Sequence, residues 1–318
     1  MGNSSSSDDP LYLAIDAGGT KTDFLMANSS REWARVRGGC IKRMRVDEKT
    51  AWSNLTAALA ALSEKTGRSL REVTRTCIGT AGDTVPLVVD WLRSALPEQV
   101  SGELVIVGDV EIALDAAFRG GPGVLVLAGT GSNVAARGVD GRLLGAGGWG
   151  PLMADQGSAN RIGLNGLRAG FLAKDELRPT ALLREAMRFW QLASEHDLIA
   201  FANTVPAPDF SKLAMVVTKL AALGDTVAQA VLDREGSELG YLVRLVLRRM
   251  HGEALPNTLP DTGKPLRIAF SGSVMEHATA VRRAVLAEVH GEFAGAEEVV
   301  GVVDPLLGAL WRARTPSV

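Results

Sequence analysis

Residues 11–27 read LYLAIDAGGTKTDFLMA, and residues 123–137 read GVLVLAGTGSNVAAR. In each stretch an apolar run stops at a glycine-rich turn carrying Thr or Ser, and a second strand-like run returns from it. An apolar run cut off by such a turn is the signal of a buried strand entering a hairpin. Ile15–Thr20 aligns with Leu127–Ser132, and the shared order predicts an internal duplication. After the first turn, Asp23 to Asn28 and Glu32 to Arg37 read as strands, Thr50 to Leu62 as a helix, Arg75 to Gly79 as a strand, Val85 to Leu96 as a helix and Leu104 to Val107 as a strand. Three strands, helix, strand, helix, strand predicts a mixed sheet covered by helices.

After the second turn, Val134 to Val139 and Arg142 to Gly145 read as strands. A long helical insertion then follows at Pro208 to Leu223 and Asp225 to Met250. Ala228, Val231, Leu232, Leu239, Leu242, Val243, Val246 and Met250 form one apolar stripe, which predicts core packing. Asn257 to Lys264 reads as a polar loop, Arg267 to Phe270 as a strand and residues 275–289 as a helix. A last helix is predicted from Asp304-Pro305, with Asp as N-cap and Pro at the first helical position.

The chain has 318 residues, 46% of them hydrophobic, enough for two ordinary domains each with its own core. A net charge of -2 gives no electrostatic footprint for nucleic acid. Arg244, Arg248 and Arg249 recur at helical spacing and read as a solvated face. No pair of the four histidines has zinc-ligand spacing. Cys40 and Cys77 form no CxxC pattern, so a reducing cytosol is the expected compartment. No apolar run approaches the roughly 18 residues needed to span a bilayer. Met1–Ser6 fits a permissive N-myristoylation pattern and reads better as part of a disordered polar leader over residues 1–10.

Glycine lets backbone N–H groups approach an anion, and Thr or Ser adds a hydroxyl donor. One such turn reads as an ordinary hairpin; a pair at equivalent places of a repeat reads as two phosphate-binding turns. No Walker A sequence is present, and no Gly-x-Gly-x-x-Gly follows the first strand. Asp16, at the end of the first strand, is a candidate for holding Mg²⁺ through water, or an Asx-type turn residue. Asp109, at the end of another buried strand, is a candidate general base, or the N-cap of a helix over 110–118. Gly147–Gly150 and Asp155–Ser158 combine an indole amid glycines with a carboxylate. That suits a sugar, or a buried Trp at a turn.

These residues together resemble the N-acetylglucosamine kinase family, grouped with the BadF/BadG/BcrA/BcrD ATPase domain in the actin, Hsp70 and sugar-kinase superfamily. The resemblance runs from Leu11 to Ala313. It is carried by Asp16–Thr22, Ala128–Asn133 and Gly147–Ser158, with weaker support from Phe210–Ala214, Gly224-Asp225, Ser271–Ser273 and Asp304–Ala309. It implies an α/β fold of two ribonuclease-H-like, actin-like ATPase domains flanking a nucleotide cleft. The expected division is residues 11–117 and 118–318, with the last helix packing back on the first domain. ATP and Mg²⁺ are the implied cofactors and a small sugar the implied partner, with no nucleic acid or membrane and a homodimer left open.

Carried over residue by residue, Gly18, Gly19, Thr20 and Lys21 match one phosphate loop, and Gly129, Thr130, Gly131 and Ser132 the other. Gly224, Gly272 and Ser273 match the nucleotide region, and Asp109 the catalytic base. Gly148, Trp149, Gly150 and Asp155 match the sugar site. The implied reaction is ATP-dependent phosphorylation of an amino sugar, N-acetylglucosamine or glucosamine, at the 6-hydroxyl. A non-catalytic sensor and an ATPase activator are the alternatives. Two departures fall on the acceptor side. An Asn usual near positions 40–42 is replaced by Cys40-Ile41-Lys42, and the family's Asp-Glu-Gly-Ser is Asp155-Gln156-Gly157-Ser158. Lys42 reads either as an ordinary exposed lysine or as a contact for an acidic substituent such as a lactyl or uronic carboxylate.

Overall fold

The computed structural model describes residues 9–251 and 265–315. The predicted loop at Asn257–Lys264 and residues 1–8 of the predicted leader lie outside them. The chain divides into two compact units, residues 1–121 with 304–318, and residues 122–303.

In the first unit β1 (Leu11–Ala17), β2 (Lys21–Ala27), β3 (Glu32–Gly39), β4 (Val73–Thr80) and β5 (Glu103–Val107) form one sheet in the order β3-β2-β1-β4-β5. β1 runs antiparallel to β2, with Asp16 opposite Asp23, and parallel to β4, with Asp16 beside Gly79. Helices α1 (Glu48–Thr66), α2 (Pro86–Gln99) and α3 (Asp109–Phe118) complete the crossovers. The apolar run of β1 is nearly continuous because both faces of the sheet are covered. Leu13 and Ile15 pack with Leu55, Leu59 and Leu92 of α1 and α2 on one face. Ala14 packs with Ile112 of α3 and with Leu306, Ala309 and Leu310 of the C-terminal helix Pro305–Arg314 on the other. That helix therefore belongs to the first unit. A Cβ at Gly308 would stand 1.7 Å from the Ile112 carbonyl oxygen, so only glycine allows the two helices this close. Arg312 Nε donates to the buried Asp115 carboxylate at 2.6 Å across the same contact.

The second unit repeats the order. β6 (Gly123–Ala128), β7 (Ser132–Arg137), β8 (Leu143–Gly147), β9 (Arg267–Ser271) and β10 (Glu297–Val303) pair as β8-β7-β6-β9-β10. The antiparallel and parallel pairings fall at the same places as in the first sheet. Between β8 and β9 lie α4 (Ala159–Asp175), α5 (Leu182–Trp190), α6 (Glu195–Ala202), α7 (Ala214–Ala222) and α8 (Thr226–His251). Helices α9 (Ser273–His277) and α10 (Thr279–His290) precede β10. The stripe residues Val231, Leu232, Leu239, Val243 and Val246 are buried in the unit's core, as their spacing predicts.

Three readings change. The insertion begins at α4, well before Pro208. Residues 275–289 are not one helix, because the chain breaks at Ala278. β10 is a further strand at the sheet edge. The arginines of α8 lie on a solvent-facing side of the helix, as read, and are also paired: Arg244 and Arg248 with Glu288 and Glu292 around α10, and Arg249 with the Gly145 carbonyl oxygen.

Candidate active site

In the first unit the acidic groups gather where β1, β4 and β5 end. Asp16 is half-buried there, and its carboxyl is pushed up to about 7, first by burial and then by Asp109, Asp23 and Asp304, with Lys21 opposing. Asp23 is paired with Arg37 at 2.6 Å and Lys21 at 3.6 Å. Asp304 caps the C-terminal helix by accepting from Leu306 N. Asp109 is the first residue of α3. Gly108 occupies the N-cap position, so the capping role weighed for Asp109 is not the one it has. Asp109 Oδ1 accepts from Val110 N at 2.9 Å. Burial raises its pKa, and the Val110 N–H and the Lys42 charge oppose that rise. Between β1 and β2, Gly18, Gly19 and Thr20 form a turn whose Gly19 and Thr20 are exposed. No atom stands within 4 Å of a Cβ placed on Gly19, which leaves its backbone open to a ligand.

The titration of Asp16 has a testable consequence. An aspartate ordinarily titrates near 3.8, so the folded protein holds this proton more tightly than the unfolded chain does. The contribution is therefore present below about pH 4 and lost as pH rises through about 7. Relative to the wild type, Asp16→Asn should gain thermal stability across that window. A difference between the two melting temperatures that does not change with pH would rule the assignment out.

In the second unit the turn Gly129–Gly131 joins β6 to β7 and is tied down from two sides. Ala159 N at the start of α4 donates to the Gly129 carbonyl oxygen at 2.8 Å, and Ser132 Oγ donates to the Gln156 carbonyl oxygen at 2.7 Å. Ser158 caps α4 by accepting from Arg161 N. Gly272 has φ +96°, and a Cβ there would lie 2.4 Å from the Ala128 carbonyl oxygen. A Cβ on Gly129 would lie 3.9 Å from Ser273 Oγ. The structure thus brings Gly272 and Ser273 to the Thr130 turn. Gly224, with φ +93°, sits at the α7–α8 junction, outside this set of contacts.

Gly147, Gly148 and Gly150 all have positive φ, and Trp149 is 71% exposed, so the buried-Trp reading gives way to a free indole face. Asp155 is 4% exposed and holds φ +65°, which is uncommon without glycine. Burial raises its pKa, opposed by the Ser132 and Gly150 N–H groups that its carboxylate accepts. Beneath this turn lies a residue that the sequence reading missed. Glu235 of α8 is 1% exposed and accepts from Gly157 N at 2.8 Å, Asn165 Nδ2 at 2.5 Å and Arg161 at 3.2 Å. Its signal was available: Glu235 is a carboxylate inside the apolar stripe of Val231, Leu232 and Leu239.

The sequence profile of the BadF/BadG/BcrA/BcrD ATPase family matches residues 13–313. An N-acetylmuramic acid/N-acetylglucosamine kinase of Clostridium acetobutylicum is 32% identical over 190 residues. That alignment spans 58% of this chain and 61% of the relative, so it reaches about three fifths of that protein's length. An N-acetyl-D-glucosamine kinase of Dictyostelium discoideum is 28% identical over 94% of this chain and 96% of its own. Among solved structures, a ROK family glucokinase from Streptomyces griseus, in complex with glucose and AMPPNP, shares the fold with a TM-score of 0.56. It is 15% identical, over 96% of this chain and 99% of that one.

Proposed function

Because the chain belongs to the BadF/BadG/BcrA/BcrD ATPase family, we propose that it is an ATP-dependent kinase that phosphorylates an amino sugar at the 6-hydroxyl. N-Acetylglucosamine and glucosamine are the first candidates. The observation that carries this reading is Asp109, a half-buried carboxylate at a strand end, electrostatically coupled to Asp16 and placed at the start of a helix. A carboxylate so placed can accept the proton of a hydroxyl that attacks a phosphoryl group. The Thr20 turn of the first unit and the Thr130 turn of the second each carry N–H and hydroxyl donors of the kind that bind phosphate oxygens and stabilise charge on a transferring group. Trp149 offers a flat apolar face to the sugar ring, and Asp155 keeps lone pairs for its hydroxyls.

The residues fit Mg²⁺. Asp16 lies among three acidic neighbours that disfavour its ionised form, and a cation would reverse that balance. No cluster of three or more metal-ligating side chains occurs among the described residues. Asp16 would hold the ion through water, as magnesium's retained hydration shell allows. When bound, the ion supplies neutralising charge to the phosphates. The buried thiols of Cys40 and Cys77 suit a reducing cytosol. No single helix among the described residues is long and apolar enough to cross a membrane.

ADP release with and without amino sugars tests the reading. Sugar-stimulated turnover is expected. Sugar-independent turnover would favour an ATPase activator, and no turnover would favour a non-catalytic sensor.

A further inference from the structure

Helices α5 and α7 of the second unit each turn one face to the core and leave a groove between them. Leu182, Leu183 and Ala186 of α5 are buried, as are Ala214, Val217 and Leu220 of α7. A helix packed in this way ordinarily shows water a polar stripe. On α7 that stripe is largely apolar. Met215, Lys219 and Leu223 recur every fourth residue, so they share one side, and Met215 is 67% and Leu223 73% exposed. Phe189 of α5 is exposed across from them, with Val216 and Leu220 deeper in the same groove. The space measures about 500 Å³, inside the range of about 300–1,000 Å³ typical of small-molecule sites.

The groove is held in shape. Val216 packs against the buried cluster that contains Leu183 and Ala186. At the start of α5, Thr180 Oγ1 and Ala181 N both donate to the Asp225 carboxylate at 2.8 Å, and Asp225 also accepts from Ala228 N of α8. The start of α5 is thereby tied to the α7–α8 junction.

Its rim is cationic. Arg184 and Arg188 share one carboxylate, Glu185, at 3.4 and 3.7 Å. Lys219, on the other wall, has no ion-pair partner among the described residues. Three cations and one anion leave two positive charges unmatched beside an apolar floor. An inorganic anion would answer the charge and leave the floor in water, whereas a neutral ligand would do the reverse. An apolar body ending in an acid group answers both, and an arginine fork binds a carboxylate through two parallel hydrogen bonds. Nine residues line the groove, well short of the roughly 20–30 a side of a protein interface. Its size therefore favours a small molecule over a partner chain.

We propose that the α5–α7 groove is a small-molecule site, sharing no residue with the candidate active site, that takes an anionic amphiphile with an apolar body and a single carboxylate head. The proposal does not depend on the kinase reading.

The test titrates the native protein with anilinonaphthalene sulfonate, an anionic aromatic probe whose fluorescence rises in apolar sites. Saturating ATP is present throughout, because Leu223 adjoins Gly224, which the family resemblance assigns to the nucleotide region. Decanoate and decanol, kept below aggregating concentrations, then compete for the probe; they share a chain and differ in head charge. One saturable probe site is expected, with decanoate competing about tenfold better than decanol or more, the scale of one charge-assisted hydrogen bond. Arg188→Gln combined with Lys219→Gln should weaken decanoate about tenfold and leave decanol unchanged. Met215→Asp places a like charge in the apolar stripe and should weaken both probe and decanoate. All three side chains are exposed, so the variants should melt close to the wild type. The proposal is overturned if no saturable probe site survives in ATP, if decanol competes as well as decanoate, or if both variants bind as the wild type does.

Discussion

Asp109→Asn is expected to lower kcat about 10²–10⁴-fold, the range for loss of a general base, while ATP binding stays nearly intact. Asparagine keeps the size of the side chain and an oxygen that can accept from Val110 N, so the start of α3 need not move. What it removes is the ability to take a proton. It also removes one of the charges that raise the pKa of Asp16, so in the variant Asp16 should titrate lower. Steady-state kinetics and a direct measurement of nucleotide affinity separate these effects. Near-normal turnover in the variant would show that another group is the base.

Much of the fold was legible because it is written twice. The runs before Gly18 and Gly129 are apolar on both faces, and each stops at a glycine turn, so strand, hairpin and repeat could be read without any structure. The two sheets share one five-strand order, as a repeat requires. The stretches that escaped have physical reasons. Helix α4 contains Gly163, Gly166 and Gly170, which dilute its helical signal. A Cβ at Gly163 would lie 1.9 Å from the Phe210 carbonyl oxygen, so the residue that hides the helix is the one its packing requires. β10 is an edge strand whose Glu297, Glu298, Val300 and Gly301 are exposed, which breaks the two-residue alternation of a strand with one buried face.

Candidate positions were legible where a polar residue stands at the end of a strand or in a glycine turn, as for Asp16, Asp109, Thr20 and Thr130, and the structure places these residues at those strand ends and turns. They were less so where support comes from distant residues. Nothing in the local sequence shows that the Asp155 carboxylate accepts the Ser132 and Gly150 N–H groups, or that Glu235, far along the chain, holds Gly157.

Glu235→Ala is expected to cost about 3–5 kcal/mol of stability, the scale for breaking a buried ion pair from one side. The carboxylate is 1% exposed and serves three donors, Gly157 N, Asn165 Nδ2 and Arg161. Removing it leaves the first two without this acceptor, while Arg161 keeps Glu238 at 2.5 Å. Glu235→Gln should fall between the wild type and the alanine variant. Its amide oxygen can still accept, but its NH₂ faces groups that are themselves donors. The loss should reach the site as well. Gly157 is two residues from Asp155 and next to Gln156, whose carbonyl oxygen receives Ser132 Oγ of the second turn. Releasing Gly157 frees that whole corner, and the proposed sugar contacts at Asp155 should loosen with it. Denaturant unfolding gives the stability change, and kcat/KM for the acceptor, measured where the variant remains folded, gives the functional one. A stability loss of less than about 1 kcal/mol would mean that water or Arg161 replaces the carboxylate, since surface-like substitutions have effects of that size. A large stability loss with unchanged acceptor kinetics would mean that Glu235 supports the core and leaves the Asp155 turn unaffected.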